Sequence, residues 1–176
     1  MKTQLTLALL ALTALSAQAA TTQTAKPAQT KPTPIKLTAY TYLVGETTDA
    51  SGKKVERLAD AAGKGALPGS LLQMTQKVQN VSTGSVRGLR LNMRVDPATT
   101  YQTSNCDVAR VNTLFSADGG KTFAAKPTKT VTVTENGKSV QKTVPALPSE
   151  YTNLRWELPD LNAGQTFNCN LRVRVK

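Results

Sequence analysis

The sequence predicts an all-β protein, an antiparallel β-sandwich with a β-barrel as the alternative. Three observations point there. Apolar and polar residues alternate with a period of two through much of residues 35–176, the spacing that sends successive side chains to opposite faces of a strand. Clusters of Gly, Asn, Asp and Pro interrupt those runs at short intervals, as turns between short strands require. Threonine is abundant and no segment past the N-terminus reads as a convincing helix, which is the composition of a β-rich secreted domain.

The first residues follow a different logic. Met1 to Ala20 reads MKTQLTLALLALTALSAQAA. Lys2, the apolar run from Leu5 to Leu15 and the box Ala17-Gln18-Ala19 are the three parts of a cleaved secretory signal, assigned to residues 1–19. The apolar run is too short to span roughly 30 Å of hydrocarbon. No cysteine follows the box to carry a lipid anchor, and no later segment approaches spanning length. The expectation is export from a bacterial cytoplasm, with a mature chain that has no transmembrane segment and is periplasmic, envelope-associated or secreted. Residues 20–34, ATTQTAKPAQTKPTP, hold no residue that could build a core. They read as a basic, flexible Pro/Thr-rich tether. One sandwich domain is expected over 35–176.

Within that domain Ile35, Leu37 and Ala39 alternate with Lys36, Thr38 and Tyr40, a strand expected to end near Val44-Gly45. Asp49-Ala-Ser-Gly52 is turn chemistry, and Val55 to Leu58 can return as a short strand. Leu71 to Val81 is strand-like, with Leu72, Met74 and Val78 on one face, and Asn80 to Gly84 turns. Leu89, Leu91, Met93 and Val95 face in while Arg90 and Arg94 face out, until Asp96-Pro97 stops the strand. Tyr101 and Cys106 lead into a strand at Val108 to Phe115. Ser116 to Lys121 is a tight turn, and Thr122-Phe123 begins a return. Asn136-Gly137 between two β-branched runs is a strong hairpin signal. Leu154, Trp156 and Leu158 alternate, with Trp156 expected in the core. Leu161 to Gly164 turns the chain, and Leu171, Val173 and Val175 close it with Arg172, Arg174 and Lys176 outward.

Cys106 and Cys169 are the only cysteines. In an oxidising compartment such a pair reads most simply as a disulfide. A redox or metal-binding pair is the alternative, without a C-x-x-C spacing or a histidine to complete a zinc site.

An ordered set of motifs carries a family resemblance: Leu67-Pro-Gly-Ser-Leu-Leu-Gln-Met74, then Val78-Gln-Asn-Val-Ser82, then Leu89 to Val95 with Asp96-Pro97 and Tyr101. Phe115 to Phe123, Tyr151 to Leu158 and Leu161 to Gly164 continue the order. Over about Val55 to Lys176 the chain resembles the conserved-repeat domain of bacterial surface and envelope proteins, a family of unknown function. Met74 stands where that family usually has an aromatic. The resemblance implies an immunoglobulin-like sandwich and an envelope setting, and it implies no activity.

With no histidine, the usual nucleophile–base triads are absent. The carboxylates are scattered, mostly in turns, and neither Asp118-Gly-Gly120 nor Asp160 with Asn162 matches an oxygen-rich calcium loop. No enzyme activity, cofactor or metal is expected. The formal net charge of +11 implies attraction to anionic partners, or serves only solubility. Arg90 and Arg94 project from one strand and Arg172, Arg174 and Lys176 from another, with Arg87 near the first. If both strands share a sheet, they form a cationic stripe able to hold phosphate or carboxylate groups. Otherwise they are a solvated outer face. The leading expectation is a non-enzymatic binding or structural module that contacts an envelope protein or polymer. The alternatives are a binder of anionic polymer, lipid or nucleic acid and, third, a secreted hydrolase.

Overall fold

The computed structural model describes residues 34–176, apart from Ala62 and Pro159. The expected signal peptide, and the expected tether as far as Thr33, lie outside the described residues. Among the described residues ten strands follow one another: β1 Ile35–Thr48, β2 Lys54–Asp60, β3 Leu71–Asn80, β4 Arg90–Arg94, β5 Thr99–Cys106, β6 Asn112–Ser116, β7 Thr128–Glu135, β8 Lys138–Pro145, β9 Asn153–Glu157 and β10 Thr166–Val175. A 3-10 turn, Pro148–Glu150, precedes β9.

The strands make a five-stranded sheet in the order β2-β1-β3-β10-β5, a three-stranded sheet β4-β9-β6 and a hairpin β7-β8. Every ladder is antiparallel. The two sheets pack face to face as a sandwich, so the barrel alternative falls. Val78, Phe167, Cys169, Leu171 and Val173 from the larger sheet meet Leu91, Leu154 and Trp156 from the smaller one, with Val95, Leu158 and Leu161 completing the cluster. Trp156 and Leu154 are wholly buried, as the alternation across Leu154, Trp156 and Leu158 predicts. Each such side chain contributes roughly 1.5–3 kcal/mol of burial.

Register settles which face each residue takes. Rows of paired residues run across the larger sheet on its core side: Leu37, Val78 and Phe167; Ala39, Gln76, Cys169 and Cys106; Thr41, Met74 and Leu171; Leu43, Leu72, Val173 and Tyr101. Tyr101 meets Phe115 edge-on at 5.2 Å between ring centroids. That contact sets β6 over β5, and the strand orders then set β9 over β10 and β4 over β3.

Several local expectations are refined by long-range pairing. β1 runs on to Thr48 instead of ending near Gly45, because β2 pairs with it from Tyr42 to Thr48. The strand expected at Val108 to Phe115 is shorter than expected, and Thr99–Cys106, read only as a lead-in to it, is a strand of its own. β5 ends at Cys106, four bends follow, and β6 starts at Asn112. Thr122-Phe123 forms no strand, and only a single bridge joins Phe115 to Ala124. The hairpin forms as predicted, with Asn136 and Gly137 both at positive φ, 51° and 73°, the pair of values a type I′ turn demands. Its two strands pair only with each other.

Two features pin the frame. Cys106 and Cys169 face each other across β5 and β10 and form a disulfide. It joins neighbours within one sheet. Asn80, wholly buried at the end of β3, donates to the carbonyls of Gly84 at 2.7 Å and Leu161 at 2.9 Å and accepts from Ser82 N–H and Oγ. It thereby ties the β3–β4 corner to the β9–β10 connection.

Candidate functional site

The six cationic residues singled out in the sequence do not come together. β4 belongs to the three-stranded sheet and β10 to the five-stranded sheet. Arg90 and Arg94 therefore point away from the sandwich on one side, and Arg172 and Arg174 on the other. A continuous stripe would need the two strands in one sheet.

Most of these cations are also engaged within the chain. Arg172 clamps Glu56 with both terminal guanidinium nitrogens, one at 2.8 Å, and donates its Nε–H to Gln73 at 2.9 Å. Gln73 and Asn170 meet Thr75, whose hydroxyl lies 2.7 Å from Asn170 Oδ1. Beside this network stand Tyr40 and Tyr42, paired to Thr75 and Gln73 and therefore on the same outer face, their rings near-parallel 6.2 Å apart. Arg174 donates to the Gly69 carbonyl and Lys176 to that of Pro97. Arg87 pairs with Asp160 at 3.4 Å and Arg90 with Glu157 at 3.2 Å. Arg94, exposed at the end of β4, has no ion pair among the described residues. It borders an open cleft of about 510 Å³ that also takes in Asp96, Tyr151, Asn153 and Lys176. Burial, and then neighbouring Tyr101, push the Tyr151 phenol above its ordinary value. The Lys129 ammonium, hydrogen-bonded to Glu150, holds that carboxyl below its ordinary value.

Asp118 closes its own loop. Its carboxylate accepts from the Ser116 and Thr122 hydroxyls and from the Lys121 and Thr122 backbone amides. These bonds, the Ser116 hydroxyl first, hold its carboxyl well below the usual carboxylate range. Both oxygens are thus committed to the turn, the local role aspartate most often takes there.

The least expected feature is the flank of the sandwich under β1. Exposure rises along the core-side rows as they leave the smaller sheet. Val173 is fully buried, Leu72 half-buried and Leu43 39 % exposed. In the next row but two, Phe167 and Val78 are buried while Leu37 is 51 % exposed. Five strands lie under three, so the cover stops at β4 and, among the described residues, nothing covers the core side of β1. Alternation in the sequence assigns Leu37 and Leu43 to the apolar face but carries no information about whether that face is covered.

β4 forms the upper rim of this flank. Leu89 and Val95 bond to β9 through Leu158 N–H and the Thr152 carbonyl. By alternation, the backbone N–H and C=O of Arg90, Asn92 and Arg94 point the other way, and no ladder pairs that edge among the described residues. On the floor, Gln76 Oε1 is buried with no hydrogen-bond partner among the described residues. No protein-family model, no curated protein and no solved structure matches this chain.

Proposed function

We propose that this protein is a non-enzymatic, exported binding module that works by protein–protein contact through the open flank of its sandwich. The observation that carries the reading is the exposure of Leu37 and Leu43 on the side of β1 whose neighbours form the core. Burying two leucines of this kind against a partner offers roughly 1–3 kcal/mol each, and an unpaired strand edge supplies backbone hydrogen bonds alongside. The tripartite N-terminus and the disulfide support an exported, envelope-facing setting. So does the resemblance to the conserved-repeat envelope family.

Polyanion binding finds less support. Five of the six cations already serve intramolecular partners, and the two arginine pairs face opposite directions. A photo-crosslinking amino acid placed at residue 37 or 43, with a control at the exposed Gln141 on the hairpin, tests the reading in envelope fractions. Protein adducts specific to positions 37 and 43 are expected. No adducts there, or the same adducts from position 141, would overturn it.

A further inference from the structure

We infer that the open flank accepts an extended segment of a partner protein as an added strand beside β4, a segment with apolar residues at alternate positions and acidic residues between them. The inference rests on the flank being a protein-contact site and names what it takes. Geometry gives the strand form. The flank has an apolar floor in Leu37, Leu43 and half-buried Met74. It has a free backbone edge on one side, where Arg90, Asn92 and Arg94 each offer one N–H and one C=O. A strand laid along that edge completes the smaller sheet outward over β1. Its inward side chains, every second residue, fall on the leucines, and its backbone pairs the edge.

Charge gives the chemistry of the outward residues. Side chains on the solvent face of the added strand lie beside those of Arg90 and Arg94, directly across the new ladder. Arg94 has no ion pair among the described residues, and the partner of Arg90 is a partly exposed Glu157 at 3.2 Å. On the β1–β2 side, Arg57 shares the core-side face with Ala59 and Leu43, whereas Glu46, Glu56 and Asp60 pair with residues of the opposite face. The flank is therefore bordered by arginines and by none of the carboxylates of β1 and β2. A second copy is the wrong occupant. Its hairpin, whose two strands pair only with each other, carries Lys129, Lys138 and Lys142 on its valine-bearing face, with Glu135 beside Lys142 and Glu150 of the neighbouring turn beside Lys129. Laid with its valines on the leucines, the hairpin would press those lysines onto the apolar floor beside Arg57, and its outward threonines, serine and glutamine would offer Arg90 and Arg94 no carboxylate.

The test uses the exported protein and three fluorescent nine-residue peptides: alternating valine and glutamate, alternating valine and lysine, and a block arrangement of the valine–glutamate composition. The alternating acidic peptide is expected to bind at least tenfold more tightly than either other peptide. Leu37→Asp with Leu43→Asp should weaken it at least tenfold. Arg90→Glu with Arg94→Glu should shift the preference toward the lysine peptide. All four positions are exposed or edge sites, and unchanged circular dichroism verifies folding. Hydrogen exchange supplies the structural readout, with the amides of Arg90, Asn92 and Arg94 slowed at least tenfold on binding. Equal affinity for the lysine peptide would overturn the acidic assignment while leaving strand addition standing. Absence of binding by all three peptides, with adducts still formed at 37 and 43, would overturn strand addition and leave the contact reading intact. Unchanged binding in the leucine variant, unprotected edge amides, or dimers in sedimentation that the leucine variant abolishes would each overturn the inference.

Discussion

Removing the Cys106–Cys169 bond should cost about 4 kcal/mol of stability, and the structure shows where the loss falls. The bond spans 63 residues of sequence. Closing a loop of that length in the unfolded chain lowers its entropy by an amount worth roughly 4 kcal/mol at room temperature in the chain-entropy treatment. Cys169 is wholly buried in the core cluster, so replacing both cysteines by alanine adds about 1 kcal/mol for lost packing. Reduction of the native protein removes the cross-link alone, and Cys106→Ala with Cys169→Ala removes cross-link and sulfur together. Urea unfolding compares the two. With a slope of about 2 kcal/mol per molar, the midpoint should fall by about 2 M on reduction and slightly further in the double variant. β10 is held on both sides, by β3 and β5, whereas β5 is an edge strand with β10 as its one ladder partner. Hydrogen exchange in the reduced protein should therefore quicken first in Thr99–Cys106. A midpoint shift below about 0.5 M, uniform exchange across the sheet, or two free thiols in the exported protein would refute the reasoning.

Three further outcomes are expected. Asn80→Ala should destabilise by about 2–4 kcal/mol in the same unfolding assay, because it leaves the Ser82 amide without its acceptor and removes the side-chain donor shared by the Gly84 and Leu161 carbonyls at a buried corner. Trp156→Ala should cost about 3–5 kcal/mol by emptying the centre of the core; a loss under about 1 kcal/mol would contradict the packing described. Acid should destabilise the fold through Asp118, Asp49 and Glu150, whose folded values lie below their ordinary 3.8, 3.8 and 4.5. Their contribution is complete above those ordinary values and is lost as pH falls below them. The melting temperature should thus decline from about pH 4.5 downward, and Asp118→Asn should lower it at neutral pH while flattening the decline; an unaltered acid slope in that variant would assign the effect elsewhere.

The sequence alone determined the all-β class, most strands and turns, the hairpin at Asn136-Gly137, the cysteine partnership and the burial of Trp156. Each rests on local rules: a period of two, turn residues with fixed backbone demands, and the pairing of two lone thiols. Parity along a strand names two faces, and Leu154, Trp156 and Leu158 needed nothing more. Which sheet a strand joins, and what lies above it, is decided by pairing between residues far apart in sequence. So the break between β5 and β6 was illegible locally. So too were the separation of Arg90 and Arg94 from Arg172 and Arg174, and the side-by-side placement of Tyr40 and Tyr42 with the Arg172 network. Leu37 and Leu43 show the division most plainly. The alternation of β1 assigns both to the apolar side, and only the laying of three strands over five leaves that side open to solvent.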